Sequence, residues 1–264
     1  VKPKEDVLIS NKRVYIVIKD QEGNIINKIN APKSKGLNRV SWNLRHSSSS
    51  AINPDRISSR RGGGRGWYNS GQLASPGQYT ATLIKEDEGK STDLDEPIQF
   101  NVVDLGRGTL QGMSYAEYSN HAENLIQLQN RQAIFSDKLN ENMNMVKAMR
   151  LSLSRSNNTN NELSNRLFVL EERLNQMSKK VYGNSAKSEV GVKNDPTVSS
   201  YIGNAYRGLT STYGPTGQHK QSLSIANSIL NKLDVELNTI IAEMPNLKVE
   251  LDNMNAPIII GGNN

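Results

Sequence analysis

The sequence predicts an α+β protein with two domains, an N-terminal β-sandwich followed by an antiparallel α-helical bundle that contains one long helix. Three observations predict this class. Apolar residues repeat with a period of two over residues 7–103 and with a period of seven from residue 114, and 264 residues are enough for two cores. The predicted organisation is a sandwich at 1–104, a linker at 105–113, a bundle at 114–256 and a tail at 257–264.

The N-terminal strands are predicted from alternation and turn chemistry. Residues 14–29 predict a β-hairpin, because "KDQEGN" (19–24) supplies a turn between two alternating segments. "GLNRVSWNLR" (36–45) places Val40, Trp42 and Leu44 on one side, which predicts a further strand with Trp42 in the middle of a buried face.

Two later segments complete the predicted sandwich. "GQYTATLIK" (77–85) and "PIQFNVVD" (97–104) predict strands that bury Tyr79 and Phe100. Roughly six or seven short strands in about a hundred residues are typical of a β-sandwich. We therefore expect Val40, Trp42, Leu44, Tyr79 and Phe100 to form its core.

An insertion rich in Ser, Arg and Gly, residues 46–76, interrupts these strands and predicts a long loop. Within it, the arginines and aromatic residues of "RRGGGRGWY" form a possible binding loop for phosphates and bases: Arg60, Arg61, Arg65, Trp67 and Tyr68. Proteins that bind nucleic acid in this way normally repeat the unit, so a single copy argues against nucleic acid as the partner.

The first two helices are predicted from heptad spacing and capping signals. Mostly apolar residues, separated alternately by three and four positions, form one stripe of a helix over 114–156. The segment "SYAE" at its start has the form of a capping box. A second helix is opened by "TNNE" (159–162) as another capping box, in which Thr159 is the N-cap, and is closed by Gly183. Its seam predicts the core residues Leu163, Leu167, Leu170 and Leu174.

Two further helices are predicted downstream. Asp195 as N-cap and Pro196 at the first helical position start the third, and a fourth carries its seam over 223–244 until Pro245 ends or kinks it. On the first helix, the polar seam residues His121, Gln132 and Asn142 either fix the register or mark where that helix runs past shorter partners.

Composition and motifs exclude several kinds of chemistry. The sequence has no cysteine, which excludes disulfides and thiolate metal sites, and its three histidines lack a second histidine at ligand spacing. The net charge of +6 arises from 32 basic residues interspersed with 26 acidic ones, which predicts a solvated surface. We expect no catalytic residue, metal or cofactor, and no membrane span, since no stretch approaches about 18 apolar residues.

Four segments follow one another in the N-terminal part: "VYIVIKDQEGNII", "GLNRVSWNLR", "SPGQYTATL" and "QFNVVD". Two more lie downstream, "YGPTGQ" and "MPNLKVELDNMNAPII". In this order they resemble the C-terminal region of sortilin-like (VPS10-type) BNR β-propeller proteins of Bacteroidota, which are often labelled glycosyl hydrolases. The resemblance implies an Ig-like sandwich, similar to that of flagellar-hook capping proteins, in which Trp42 fills the core. It also implies that any catalysis belongs to upstream propellers, so this chain is not expected to be an enzyme.

The resemblance implies a structural role for a piece of a longer protein. We expect a non-catalytic module, secreted or at the cell surface or periplasm, that braces upstream β-propellers of the same polypeptide and presents a helical face to other cell-envelope proteins. One alternative is an accessory region of a glycan-cleaving propeller enzyme. Another is polyanion or nucleic-acid binding through the Arg/Gly loop.

Overall fold

The computed structural model describes residues 12–52, 71–105, 112–158 and 160–259. The chain forms two compact units, Val1–Thr109 and Leu110–Asn264, and the division between them falls within the predicted linker. The described part of the first unit is an antiparallel β-sheet, and that of the second is helical. The predicted α+β class is therefore confirmed.

Five strands lie within the described residues and form one sheet: β1 (Arg13–Asp20), β2 (Ile25–Asn30), β3 (Gly77–Asp87), β4 (Lys90–Asp93) and β5 (Ile98–Val102). The order is β2-β1-β3-β4, and β5 pairs with the first half of β3 beside β4. All pairings are antiparallel, with Ile16 opposite Leu83 and Tyr79 opposite Phe100. The predicted hairpin at 14–29 is confirmed as β1 and β2.

Strand β1 is buried on both faces. Val17 is 2% exposed and its neighbour Ile18 is 3% exposed, although consecutive side chains of a strand point to opposite faces. Tyr15 and Thr82 are buried with Val17, whereas Ile18 joins the cluster that contains Tyr79. A central strand of this kind carries apolar residues at successive positions. A pattern of alternating apolar and polar residues therefore underestimates how many of its side chains are buried.

The described helices are α1 (Tyr115–Ser154), α2 (Asn161–Tyr182), α3 (Ser185–Glu189), α4 (Val198–Gly208) and α5 (Gly217–Asn253). The predicted cap of α1 is confirmed, because the Ser114 hydroxyl accepts the Glu117 N–H at 3.3 Å and donates to the Glu117 carboxylate at 3.0 Å. Helix α1 has 40 residues and is about 60 Å long. Gly183 ends α2 with a φ of 91°, as expected for a glycine after a helix.

Two predicted N-caps are displaced. Helix α2 is capped by Asn160, whose side chain accepts the Leu163 N–H at 3.0 Å. Helix α4 starts after Thr197 rather than at Asp195 and Pro196, because Thr197 and Ser200 exchange side-chain and backbone hydrogen bonds in a capping box. This reciprocal pair satisfies two backbone N–H groups, whereas an isolated Asp cap satisfies one.

The fourth predicted helix is longer than its predicted seam over 223–244. Pro245 lies inside α5, which continues to Asn253. The proline removes one backbone hydrogen bond, but Leu247 and Leu251 beyond it are buried, at 0% and 2% exposed, and hold the last turns against the core. The described part of the chain therefore contains two helices of more than 35 residues, where one long helix was predicted.

Contacts along α1 define the direction of the other helices. Arg150 contacts Glu171 and Ser136 contacts Tyr182, so α2 is antiparallel to the second half of α1. Helix α4 is antiparallel to the first half, where Gln132 donates to Ser199. Helix α5 is parallel to α1. Arg131 of α1 bonds to Asn227 and Asp234 of α5, and Ser156, just after α1, bonds to Met254, just after α5.

Helices α2 and α4 therefore lie one after the other along α1, where the sequence analysis expected each consecutive pair to be antiparallel neighbours. They share one apolar core with α1 and α5. Its members include all four predicted leucines of α2, which are at most 4% exposed: Leu163, Leu167, Leu170 and Leu174.

Replacing Leu167 with alanine should destabilise the helical unit. Leu167 is 0% exposed, and truncation leaves a cavity that costs about 2–5 kcal/mol of the free energy of unfolding. Urea unfolding followed by circular dichroism at 222 nm measures the change. Val169→Ala is the matched control on the same helix, because Val169 is 48% exposed, and it should change stability by less than about 0.5 kcal/mol. Equal effects of the two substitutions would contradict the assigned core.

Candidate functional site

Trp42 is the centre of an aromatic cluster over one face of the sheet. Its ring is edge-on to Tyr79 at 5.5 Å and to Phe100 at 6.0 Å, and the last two rings stack at 6.0 Å. The Trp42 indole N–H donates to the Arg45 carbonyl at 2.9 Å, and the Tyr79 hydroxyl donates to Ser75 at 2.6 Å. The tryptophan therefore packs in an apolar cluster while its polar atom is satisfied.

The predicted strand at 36–45 is wrong. No residue of this segment belongs to a strand, and Arg45 forms an isolated bridge with Leu73. The bond from the Trp42 indole to Arg45 bends the chain over three residues, so Leu44 has a φ of 57° and is 41% exposed. Leu44 is not a core residue, and Val40 is half-buried beside the sheet.

The ends of the Ser/Arg/Gly insertion are tied together by a stem, residues 44–47 with 71–74. His46 donates its backbone N–H to Gln72 at 2.9 Å, Gly71 donates to His46 at 3.0 Å and Ala74 donates to Leu44 at 2.8 Å. Ser47 extends the stem to β2 by donating to Ile26 at 2.8 Å. The five residues of the possible binding loop, Arg60, Arg61, Arg65, Trp67 and Tyr68, lie outside the described residues.

The turn between β1 and β2 is organised by Asp20. Its carboxylate accepts the backbone N–H groups of Glu22 and Asn24 at 3.0 and 2.8 Å and the Asn24 amide at 3.1 Å. Burial works to raise the pKa of Asp20, but the hydrogen bonds from Asn24, Glu22 and Gly23 outweigh it and hold that pKa below its usual value. The "DQEGN" segment is thus a hairpin turn, as expected, with its carboxylate occupied by the turn itself.

The start of α1 caps the end of α4. The His121 Nε2 lies 3.2 Å from the Ala205 carbonyl, and the Tyr118 hydroxyl donates to the Leu209 carbonyl at 3.1 Å. A carbonyl can only accept, so Nε2 of His121 carries the hydrogen. The last carbonyls of a helix lack intrahelical partners, and α1 supplies donors for two of them.

His121 is 5% exposed, and this burial lowers its pKa below the usual value, since desolvation penalises the imidazolium. The bond to Ala205 opposes this shift, and the nearby basic side chains His219 and Lys220 act in the same direction as burial. His219 has a second structural role, because its Nδ1 accepts the Thr216 N–H at 3.1 Å at the start of α5. In the described part of the chain, no group of three or more His, Cys, Asp or Glu residues could hold a metal ion.

The end of α1 and the residues just after it bond to the segment that follows α5. Ser152 donates to the Pro257 carbonyl at 2.6 Å, and Ser156 donates to the Met254 carbonyl at 3.2 Å. These bonds fold the chain after α5 back onto α1, where Ala256 and Ile259 pack on the helical core. The first residues of the predicted tail thus belong to the helical unit.

Arg131 fixes α1 against α5. Its guanidinium donates to Asn227 at 2.8 Å, to Asn231 at 2.6 Å and to Asp234 at 2.8 Å, which are carried on successive turns of α5. A planar guanidinium with five donors suits such a fork of acceptors, and a shift of α5 by one turn would break the set.

The α1–α5 cleft, the groove beside Arg131, has a volume of about 420 Å³. It is lined by Asn124, Gln127, Leu128, Arg131, Lys220, Leu223, Ser224 and Asn227. This cleft could not be predicted from the sequence, because its polar residues are outside the apolar seams and its two walls are 96 positions apart.

Comparisons with protein-family models, with curated proteins and with solved structures found no match. No described helix combines the length and the hydropathy needed to cross a lipid bilayer.

Replacing Gly71 with alanine should destabilise the stem. A Cβ at this position would lie 2.5 Å from the Ser47 carbonyl oxygen and 2.6 Å from that of His46, so backbone must move at a cost of about 1–3 kcal/mol. Thermal unfolding followed by Trp42 fluorescence, in a Trp67→Phe background, measures the loss.

The matched control for this substitution is Gly203→Ala on α4, where an added Cβ meets nothing within 4 Å. That change should stabilise the helical unit by about 0.5–1 kcal/mol, because alanine favours helix. Stabilisation by Gly71→Ala as well would contradict the close approach in the stem.

His121 should make stability depend on pH between its two pKa values. The pKa of His121 in the folded state lies below the ordinary unfolded value of about 6.5. Its full contribution to the free energy of unfolding is therefore present above that pH. As the pH falls below about 6.5, the unfolded state binds the proton first and the free energy of unfolding decreases, until the folded state also binds it. Urea titrations at several pH values between 7.5 and 5 should show a smaller decrease for His121→Gln, which keeps an N–H donor for Ala205. An unchanged slope in the variant would contradict this origin.

Proposed function

We propose that the chain is a non-catalytic structural and interaction module that braces upstream β-propellers of a secreted or cell-surface protein and presents a helical face to a partner. The observation that carries the proposal is the construction of the helical unit around α1. Helices α2, α4 and α5 all pack on α1, which bonds to the end of α4 near its own start and to the segment after α5 near its own end. Such a unit is stiff over about 60 Å, which suits a spacer or a docking face.

The helical unit is best interpreted as a three-helix bundle. Helices α1 and α5 fill two of its positions, and α2 followed by α4 fills the third. Its shared apolar core and near-parallel contacts support this interpretation. For the first unit, an Ig-like sandwich is supported by the second layer that Trp42 and the stem place over one face of the sheet. The second layer is short, with a single bridge between Arg45 and Leu73.

The solvent side of α1 carries two large apolar residues that suit a docking face. Ile134 is 52% exposed and Leu151 is 51% exposed, on a helix whose buried seam is already occupied by the core. Exposed aliphatic residues on a rigid helix can serve as anchors in a helix-mediated contact. The two side chains define the face of α1 that we assign to a partner.

Photo-crosslinking in the native cell envelope tests this role. A benzophenone amino acid at position 134 or 151 of the intact parent protein should give crosslinks to the propellers or to another polypeptide. Val235 on α5, which is 70% exposed, is the matched control, and we expect at least several-fold fewer crosslinks there. Crosslinking at 134 and 151 that does not exceed the control would contradict a docking role for this face. Mass spectrometry of the products separates an internal brace from contact with a second protein.

A further inference from the structure

We propose that the α1–α5 cleft binds a small hydroxylated oxyanion, such as a sugar phosphate or a sugar carboxylate. The site is independent of the proposed docking role, because its lining residues are distinct from Ile134 and Leu151. Its volume of about 420 Å³ falls within the range of about 300–1,000 Å³ that small ligands occupy.

The cleft is built from matching stripes on two parallel helices. Helix α1 contributes Asn124, Gln127, Leu128 and Arg131, and α5 contributes Lys220, Leu223, Ser224 and Asn227. Each stripe has the spacing i, i+3, i+4, i+7, which places its residues on one side of a helix over two turns, about 10 Å long. Leu128, 3% exposed, and the half-buried Leu223 supply the apolar floor beneath polar walls.

The polar walls favour an anion with hydroxyl groups. The side chains that line the cleft include two cations, three amides and one hydroxyl, and no carboxylate is among them. Amides and a hydroxyl can donate to and accept from sugar hydroxyls. The Lys220 ammonium is the cation that can bind a phosphate or carboxylate, since the Arg131 guanidinium is already paired with Asp234 at 2.8 Å. The lining also has no aromatic ring on which a nucleobase could stack.

Lys220 and Arg131 have different roles in this site. Arg131 is held by three acceptors on α5 and forms a fixed wall. Lys220 lies 3.8 Å from the Glu117 carboxylate, and both side chains are about half exposed, so this pair is weak. The Lys220 ammonium can therefore turn towards a bound oxyanion without leaving a buried charge.

Chemical-shift titration of the full chain tests the proposal, with glucose 6-phosphate and glucuronate as probes and glucose as the neutral reference. Either anion should shift the side-chain amide signals of Asn124, Gln127 and Asn227, and bind at least tenfold more tightly than glucose. Lys220→Met should weaken that binding by about tenfold, the loss expected for one charge-assisted hydrogen bond.

Lys232→Met is the matched control, because Lys232 is an exposed lysine of the same helix that does not line the cleft. Binding should be unchanged in this variant. Absence of shifts with both anions at 20 mM, equal affinity for glucose, or equal weakening by the two lysine variants would each overturn the proposal. A Gln127→Leu variant should also reduce affinity, and its folding can be checked by its unchanged helical circular dichroism.

Discussion

The helical unit depends on the burial of one continuous seam along α1. An apolar stripe on a helix of 40 residues is too long for α2 or α4 to cover alone, since they have 22 and 11 residues. The two shorter helices together match most of its length, so they must lie one after the other, and α5 must run the full length on another side. Because α4 is antiparallel to α1 and the chain turns back after α4, α5 runs parallel to α1.

The polar residues of the α1 seam mark the places where its partners begin and end. Gln132 donates to Ser199 at the start of α4, and Ser136 contacts Tyr182 at the end of α2. His121 lies at the end of α4. A helix end exposes backbone groups that an apolar neighbour cannot satisfy, so a donor or acceptor on α1 is needed at each such level. Of the two interpretations that the sequence left open for His121 and Gln132, marking the ends of shorter partners fits these contacts. Asn142 differs, because its amide bonds to Lys138 within α1.

Elements that are specified locally could be predicted from sequence, and those that depend on distant contacts could not. Period and capping chemistry act within a few residues, so the β1–β2 hairpin and the start of α1 followed from the sequence. The segment 36–45 has the alternation of a strand, but one side-chain hydrogen bond from Trp42 to Arg45 overrides that pattern. Pro245 predicts either a helix end or a kink from local chemistry, and burial of Leu247 and Leu251 against other helices decides that the helix continues. The α1–α5 cleft depends on a register that only the folded chain defines.

The stem has a consequence for how freely the inserted segment can vary. The backbone bonds between 44–47 and 71–74 hold the two ends of this segment close together. Doubling the length of a flexible loop adds only about 0.6 kcal/mol of closure entropy. The stem is therefore a natural attachment point, at which the two ends of an inserted peptide, tag or small domain would be held close together.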